Sequence, residues 1–383
     1  MSAHGTPSRL SGFKTKSRWL KVLLWCFAVL AALGVAAWAF VNSAPFGALP
    51  EGARLERIKR SPHFKDGIFT VEEPFTYHFE SSGFAAWWDF LFGSHPELRP
   101  QQALPSQHPD LKALKADEDV VVWLGHSSFF MQLGGLRVLV DPIFSGHASP
   151  FSFMMPAFPG SDVVSQEQIP DIDLLVISHD HWDHLDYETV TALRERIAAV
   201  ACGLGVGAHF ERWGFAPERI HELEWGESLE LPGLKVTALP ARHFSGRLRQ
   251  NRSAPASWAF VGAKRRIYYT GDGGYSRQFA AIGRDYGPFD LAILEDGQYD
   301  RQWPDVHLMP EQLPKVARDV RVRAIMPVHN SKFVLARHAW QDPLERLSQA
   351  LPPEFELLTP MIGQILKLDG TAGATHPWWR ELR

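Results

Sequence analysis

The chain has 383 residues, of which 45% are hydrophobic, and a formal net charge of −4 from 39 Lys and Arg against 43 Asp and Glu. Nucleic-acid binding ordinarily depends on a basic surface, so this balance argues against a nucleic-acid partner. The length suffices for one large α/β domain with an extension. Cys26 and Cys202 are the two cysteines, so no disulfide framework is expected.

The first predicted element is a membrane-spanning helix. An uncharged apolar run at residues 22–41 is long enough as a helix to cross a hydrocarbon layer about 30 Å thick. We predict a basic cytoplasmic tail at 1–18 and a span at 19–41. No charge follows until Glu51, so the positive-inside rule predicts that the bulk of the chain is extracytoplasmic. A cleaved signal peptide, with a weak cleavage site at 42–44, is the alternative, but the length of the run favours an uncleaved anchor.

Residues 42–118 form a predicted extension that is rich in proline and aromatic residues and irregular in structure. One helix is predicted within it at 83–92, where aromatic and aliphatic residues recur at helical spacing. Its apolar face either packs on the main domain or forms a membrane-facing or acyl-chain-lining surface.

Strand patterns begin at Asp119, and the main domain is predicted at 119–370. Two β-rich runs separated by Gly134 and Gly135 predict a hairpin. Further strands are predicted at 174–178, 235–241, 266–270, 291–295 and 324–328, and helices at 186–200, 276–283, 310–319 and 339–351. This alternation indicates a layered α/β fold.

A dense cluster of ligand-type residues follows the strand at 174–178. The loop after it carries His179, His181, Asp183 and His184. Residues two apart in an extended segment project the same way, so the first two histidines can share one metal ion while the next two residues face a second. Such a cluster after a buried strand would be costly without a metal, since imidazole and carboxylate are zinc ligands.

Three single residues at other strand ends complete the predicted ligand set. His243 follows the strand at 235–241, Asp272 follows 266–270, and His329 follows 324–328. Each alone is more often an ordinary loop residue. Together with the cluster, they allow His179, His181 and His243 to bind one cation and Asp183, His184 and His329 the other, with Asp272 between them.

The HxHxDH loop followed by these three residues resembles the metallo-β-lactamase superfamily. Further motifs resemble the branch containing N-acylphosphatidylethanolamine-hydrolysing phospholipase D: Asp141-Pro142-Ile143-Phe144-Ser145, Gly271-Asp272 with Tyr275, and His307 followed by Pro310-Glu311. The resemblance covers about residues 119–369. It implies an αββα sandwich, zinc ligation by the seven positions and a catalytic or substrate-side role for His307. The same ligands also suit Fe and Mn.

Two features bear on the substrate. Glu295 and Asp296 stand where the relatives have a neutral segment, and negative charge facing the site would repel an anionic phosphodiester. The apolar loop at 151–160 suits acyl chains or packs under the extension. Arginines between 242 and 252 either contact substrate or form a solvated face.

The sequence therefore predicts a dinuclear zinc hydrolase in which Asp183 and His307 serve catalysis. His307 is expected either to deliver a proton to the leaving group or only to orient the helix near Pro310. A phospholipid is the favoured substrate, at a membrane reached through the N-terminal helix. The alternatives are hydrolysis of another ester, a lactone or a small phosphorylated compound, and a membrane-tethered metal-binding protein without turnover.

Overall fold

The computed structural model describes residues 11–78, 88, 95–369 and 375–382. It divides the chain into two compact units, Met1–Phe46 and Gly47–Arg383. The second unit therefore includes the predicted extension from Gly47 onward together with the predicted main domain, and residues 42–46 of that extension belong to the first unit.

The first unit is built on one long helix, α1, at Ser11–Val41, followed by a short 3-10 helix at Ala44–Phe46. Its segment Arg18–Val41 is long and apolar enough to cross a membrane. Signal sequences near the N-terminus can have the same length and apolar composition. At 1.5 Å per residue, 24 residues extend about 36 Å. The prediction of an apolar N-terminal helix of spanning length is confirmed.

The second unit contains two seven-stranded sheets. The first has the order β16-β3-β4-β5-β6-β7-β8 and the second β15-β14-β13-β12-β11-β10-β9. The first sheet comprises β3 Val120–Trp123, β4 Phe129–Leu133, β5 Leu136–Val140, β6 Ile172–Ile177, β7 Ile197–Gly203, β8 Ile220–Leu223 and β16 Ile365–Lys367. The second comprises β9 Ser228–Leu231, β10 Leu234–Pro240, β11 Ala256–Gly262, β12 Arg266–Tyr269, β13 Leu291–Glu295, β14 Ala324–Val328 and β15 Glu356–Leu357.

Each sheet is antiparallel in one half and parallel in the other. In the first sheet β5, β6, β7 and β8 pair in parallel, and in the second β12, β13, β14 and β15 do so. Parallel strands have their carboxyl ends on one edge, so the loops that leave β6, β12 and β14 emerge at such edges. This topology brings together residues that are far apart in the sequence.

The predicted hairpin joins β4 and β5. Leu133 pairs with Leu136, and Gly134 and Gly135 have φ values of 61° and 84°, as a tight two-residue hairpin turn requires. The first β-rich run is not one strand, however. It is divided by a turn at 124–128, where Gly125 and His126 adopt positive φ values of 86° and 52°.

Helices cover the outer faces of the sandwich: α3 Tyr187–Leu193, α4 Gly207–Arg212, α5 Gln278–Asp285, α6 Leu313–Val320 and α7 Asp342–Ala350. The predicted helix at 186–200 was too long. The helix ends at Leu193, a 3-10 turn follows at Arg194–Arg196, and Ile197 already begins β7. The alanines of this strand favour a helix locally, but its pairing with two neighbouring strands overrides that preference.

The hydrophobic core lies between the sheets. Buried side chains of the first sheet, such as Phe129 and Leu174, share one cluster with Trp258 and Ile293 of the second. A second cluster lies between the outer face of the second sheet and the helices α5 and α6, where Ala292 is buried with helical apolar residues. The predicted αββα sandwich is therefore confirmed.

The extension is more regular than predicted and is attached by polar contacts. It contains α2 at Gly52–Ile58 and a two-stranded pair, β1 Phe64–Lys65 with β2 Ile68–Phe69. Arg54 Nε donates to Glu222 Oε2 at 2.6 Å, and Phe69 N donates to Asn251 O at 2.8 Å. The predicted helix at 83–92 lies, apart from Trp88, outside the described residues.

Candidate metal centre

The loop after β6 is positioned by a buried parallel strand. Five of the six residues of β6 are buried, and the chain leaves the sheet at Ser178 before α3 begins. Asp186 caps that helix by accepting from Glu188 N at 3.1 Å, and His181 O accepts from His184 N at 3.2 Å. The loop is therefore short and fixed at both ends.

The second sheet supplies the three single residues. His243 follows β10, Asp272 follows β12, and His329 follows β14 with a left-handed φ of 68°. Backbone bonding holds that last conformation, because His329 N donates to His126 O at 2.9 Å. Strands of both sheets therefore end at one site, and all seven predicted ligand residues lie there.

One group of imidazoles consists of His179, His181 and His243. His179 Nε2 lies 2.8 Å from His181 Nδ1, which lies 3.3 Å from His243 Nε2. One nitrogen of each ring lies within 4.8 Å of the others, as for ligands of a single ion. His179 and His243 are buried, whereas His181 is half-buried and marks the open side of the site.

A second group consists of Asp183, His184 and His329, together with His126. Their ligand-type atoms also lie within 4.8 Å of one another. Asp183 Oδ2 lies 3.4 Å from His184 Nε2 and 2.8 Å from His126 Nε2. The second group is more deeply enclosed than the first, since all four residues are buried.

Asp272 lies between the two groups. Its Oδ2 is 3.0 Å from His184 Nε2 and 3.9 Å from both His179 Nε2 and His243 Nε2. Its Oδ1 is 3.2 Å from His329 Nδ1. One carboxylate thus faces both groups, as a ligand shared by two cations must.

The electrostatics of the site favour a bound cation. Burial lowers the pKa of His179, His243 and His329 well below the ordinary value, which keeps these rings in the neutral, metal-binding form. Burial raises the pKa of Asp272 to about 7. Burial also opposes the charge on His184, yet the carboxylate of Asp272 helps to raise the pKa of that ring. The buried carboxylates therefore attract positive charge to this point.

Several buried polar atoms at the centre of the site support the same conclusion. Among the described residues, His184 Nε2, His329 Nε2 and Asp272 Oδ1 have no partner in hydrogen-bonding geometry, so the contacts of His184 Nε2 and Asp272 Oδ1 given above are close approaches and not hydrogen bonds. A buried polar atom without a partner is costly, and metal coordination removes that cost. The residues present therefore fit a metal centre.

Asp141 fixes the first sheet's side of the site. Its carboxylate accepts hydrogen bonds from Ser178 N at 2.8 Å, Ser178 Oγ at 2.5 Å, Tyr269 OH at 2.6 Å and His184 Nδ1 at 2.8 Å. The last bond orients the His184 ring with Nε2 toward the centre, in the way that partners of metal-binding histidines commonly do.

Asp180 belongs to the ligand loop but faces away from the centre. Its carboxylate contacts His209 Nε2 at 3.0 Å and accepts from Gly246 N at 2.6 Å. His209 Nδ1 in turn accepts from Ala48 N at 3.1 Å. Asp180 therefore connects the loop to the start of the extension.

His307 lies against the opening of the site. Its ring is half-buried, stacks on His329 at 5.2 Å between centroids, and lies 5.2 Å from the ring of His243. Its Nδ1 contacts Glu295 Oε1 at 2.7 Å. The first helical turn after it is capped by Met309 and Gln312, whereas the His307 ring contacts Glu295, His243 and His329 at the site.

Glu295 and Asp296, from which repulsion of an anionic substrate was expected, do not face the opening. Glu295 and Asp296 are both fully buried, and burial raises the pKa of each well above its ordinary value. The Glu295 carboxylate accepts from Gly273 N at 2.5 Å and Leu308 N at 3.0 Å. Repulsion of an anionic substrate by exposed charge at these positions is thus not expected.

Two of the arginines between 242 and 252 have structural contacts. Arg242 donates to the carbonyl oxygens of Glu73 at 3.0 Å and Pro74 at 2.5 Å, both in residues 69–78, which we call the strap. Arg247 donates to Asp180 O at 3.0 Å and also to Leu185 O. Both guanidinium groups therefore hold backbone segments around the site.

The strap forms one wall of the opening. Thr76 N donates to Asp305 Oδ2 at 2.9 Å, and Phe75 packs edge-on against Phe244 at 6.3 Å. The ring of Phe244 lies 4.7 Å from that of His181. An aromatic wall thus begins beside the first group of imidazoles.

Some contacts at the site were not predicted. Ser127 Oγ lies 2.9 Å from His329 Nδ1, and Tyr269 OH donates to Asp141. Both residues adjoin predicted site segments, but nothing in their spacing distinguishes them from ordinary strand and turn residues. Lys332 is also buried here and donates to Ile143 O at 3.0 Å.

Comparison with known proteins adds independent information. A family model described as "Beta-lactamase superfamily domain" matches residues 136–330. An uncharacterized protein of Mycobacterium tuberculosis is 38% identical over 363 residues, covering 91% of this chain and 96% of that protein. The N-acyl-phosphatidylethanolamine-hydrolyzing phospholipase D 1 of Caenorhabditis elegans is 31% identical over 251 residues, covering 61% of this chain and 70% of that protein.

Solved structures agree on the fold. Igni18, a metallo hydrolase from Ignicoccus hospitalis, matches with a TM-score of 0.51 at 20% identity, covering 65% of this chain and 97% of the other. A possible metal-dependent hydrolase from Veillonella parvula matches with a TM-score of 0.53 at 14% identity, covering 65% and 99%. At such identities the likeness extends to the sandwich and not to the reaction.

Proposed function

We propose that this chain, a metal-dependent hydrolase that belongs to the metallo-β-lactamase superfamily, is a phosphodiesterase of the phospholipase D type. The observation that carries the proposal is the pair of ligand groups that share Asp272, with His307 beside the opening. Two cations next to each other suit displacement at phosphorus, where negative charge is spread over several oxygens. The 31% sequence identity to a phospholipase D that hydrolyses N-acylphosphatidylethanolamine supports the same reaction class.

Two zinc ions are the proposed cofactors. His179, His181 and His243 would hold one ion, and the second would be held by the three predicted ligands of the other group, Asp183, His184 and His329, with Asp272 shared. Iron and manganese bind the same ligands, so the identity of the metal has to be determined by measuring the metal content of the purified protein. When bound, such ions lower the pKa of coordinated water from 15.7 toward about 7 and so supply a nucleophile at neutral pH.

The chain's own residues would orient the reactants and move one proton. His126 holds Asp183 at 2.8 Å, which fixes that catalytic carboxylate in the second group. The oxygen of water becomes bonded to phosphorus, and the bond from phosphorus to the leaving alcohol oxygen breaks. His307 gives its Nε2 proton to that oxygen, and the proton released by water restores His307.

A glycerophospholipid with an N-acylated ethanolamine head group is the proposed substrate. The opening is bordered by the partly exposed rings of His181 and His307 and by the aromatic wall of Phe75 and Phe244. The loop at 151–160 adds exposed apolar surface, with Phe153 77% exposed. Apolar surface of this kind suits acyl chains better than it suits a small soluble ester.

We further propose that α1 anchors the protein as a single-pass membrane protein with an extracytoplasmic catalytic domain. The helix has the length and composition required, and the basic residues precede it. Alkaline extraction of membranes should leave the chain in the pellet. Fused after Arg383, a reporter that is active only outside the cytoplasm should be active, and one that is active only in the cytoplasm should not. The opposite result would place the catalytic domain in the cytoplasm.

The experiment that tests the activity is release of phosphatidic acid from N-acylphosphatidylethanolamine in mixed micelles. Release should depend on metal, stop on chelation, and be abolished in His181→Ala. The matched control is His221→Ala, which removes a histidine from β8, an edge strand of the first sheet. No release from wild-type protein that holds two metal ions would refute the phospholipase D assignment and indicate another ester or a lactone.

A further inference from the structure

A buried carboxylate lies directly behind the ring of His307. Glu295 is the last residue of β13 and is fully buried. Its Oε1 contacts His307 Nδ1 at 2.7 Å and Leu308 N at 3.0 Å, and its Oε2 accepts from Gly273 N at 2.5 Å. The carboxylate is thus surrounded by hydrogen-bonding groups, one of which belongs to the proposed proton donor.

We propose that Glu295 is a positioning residue for His307, an inference that rests on the proposed function. A proton shared between Glu295 Oε1 and His307 Nδ1 determines which edge of the ring faces the carboxylate. The opposite nitrogen, Nε2, is thereby directed away from Glu295 and carries the proton that is delivered to the leaving oxygen. This arrangement follows the rule that a carboxylate fixes the orientation and tautomer of a catalytic histidine.

The position of the ring supports this role. His307 has Glu295 on one side, while His329 and His243 have ring centroids 5.2 Å away. Ligand-type atoms of His307, Asp272 and His329 lie within 4.8 Å of one another. A small rotation of the ring would move Nε2 relative to the reacting groups, and the 2.7 Å hydrogen bond to the fully buried Glu295 opposes that rotation.

The neighbouring residue provides a matched control. Asp296 is as fully buried as Glu295, but among the described residues neither of its carboxylate oxygens has a hydrogen-bond partner. Asp296 lies one residue beyond the end of β13, and Arg346, Glu311 and Asp342 are among the charged groups that act on it, whereas His184 and Asp183 act on Glu295. Replacing its carboxyl group by an amide tests the effect of a buried acid at this strand end without removing the contact with His307.

The alternative is that Glu295 only supports the fold of the site. It also binds Gly273 N, and Gly273 adjoins the predicted ligand Asp272, so loss of Glu295 could act by displacing Asp272. Leaving-group dependence distinguishes the two roles. Hydrolysis of bis(p-nitrophenyl) phosphate releases a phenolate that needs little protonation, whereas the lipid releases an alcohol that needs a proton. Loss of proton delivery therefore affects the two substrates unequally, and displacement of Asp272 affects both.

The experiment uses the full chain in detergent with Glu295→Gln, His307→Ala, the double variant and Asp296→Asn, all checked for metal content. For lipid hydrolysis, Glu295→Gln should lower kcat about 10- to 100-fold, with KM and metal content unchanged. On bis(p-nitrophenyl) phosphate the loss should be less than about threefold. In the His307→Ala background Glu295→Gln should have no further effect, and Asp296→Asn should resemble wild type.

Equal losses on both substrates, or additive effects of the two substitutions, would overturn the proposal and leave Glu295 a structural residue. A readout without turnover separates this result from failure of the proposed function. In wild-type protein the shared proton should give a low-field NMR signal that disappears in His307→Ala and shifts in Glu295→Gln. Absence of such a signal would overturn the inference whether or not lipid is hydrolysed. No hydrolysis of lipid with the signal present would refute only the proposed function.

Discussion

Replacing Asp141 by Asn should weaken metal binding without unfolding the protein. Asp141 is fully buried, and its carboxylate accepts from Ser178 N, Ser178 Oγ, Tyr269 OH and His184 Nδ1. An amide preserves the size of the side chain but removes its charge, and its NH₂ group faces one of these donors. The bond to His184 becomes neutral, and such bonds are about half as strong as charge-assisted ones.

The size of the effect follows from the partners of metal-binding histidines. Loss of such a partner costs about 10- to 100-fold in metal affinity, or about 1.4 to 2.8 kcal/mol. The substitution also leaves one buried donor without an acceptor. This should lower the free energy of unfolding of the metal-free protein by a further ~1 to 3 kcal/mol. Affinity can be measured by competition with a chromophoric chelator, and stability by urea unfolding with and without metal.

Asp173→Asn is the matched control. Asp173 accepts from Arg137 N at 2.8 Å and lies near the start of β6, at the end opposite to the ligand loop. It should alter stability slightly and metal affinity not at all. Wild-type metal affinity in Asp141→Asn would show that His184 does not need this partner and would refute the reasoning.

Three further predictions concern the surroundings of the site. Arg247→Lys should lower the free energy of unfolding by about 1 to 3 kcal/mol, since an ammonium group does not reproduce the planar donors over the ring of Trp182; unchanged urea unfolding would contradict this. Phe75→Ala should raise KM for lipid about 2- to 12-fold through loss of an aromatic contact, with metal content unchanged; equal KM values would exclude Phe75 from the substrate wall. The hydrogen bond from Arg380, with others, lowers the pKa of Glu345 from 4.5 to about 2, so its contribution to stability is complete above about pH 4.5 and is lost as the pH falls toward 2. Because Glu345 is partly exposed, Glu345→Gln should cost less than about 1 kcal/mol at pH 7, and a difference from wild type that persists at pH 2 would argue against this pair.

The ligand loop could be predicted from the sequence because its signal is local. Three histidines and two aspartates follow one buried strand, and the chemistry of a metal site is the simplest reason for that density. His243, Asp272 and His329 were predictable because each follows a strand. β12 and β14 belong to the parallel half of the second sheet, and β10 runs in the same direction as β12 because the antiparallel β11 lies between them, so all three strands end at one edge. The ligand roles themselves stay predictions until metal content is measured.

Other features depend on long-range packing that no local pattern reports. The basic run at 242–252 has the composition of a solvated face, yet Arg242 and Arg247 donate to backbone carbonyl groups. Glu295 was interpreted as a source of repulsion, whereas it contacts Gly273 after β12 and His307 in the loop before Pro310. The strand that begins at Ile197 was read as helix because alanine favours helices and its pairing partners are distant in sequence.

Attachment of the strap through its main chain has a consequence for how this fold can diversify. Arg242 binds the carbonyl oxygens of Glu73 and Pro74, and Asp305 binds the amide of Thr76. Every amino acid offers a backbone carbonyl group and every one except proline an amide, so these main-chain anchors tolerate most substitutions, although the Glu73 side chain also accepts from Arg277 N at 3.0 Å. The side chain at position 75 makes none of these hydrogen bonds, and its ring only lies 5.9 Å from Arg242 Cζ. Mutation there can reshape the entrance while the strap keeps its course, so new substrate preferences are accessible in single steps without loss of the hydrolytic centre.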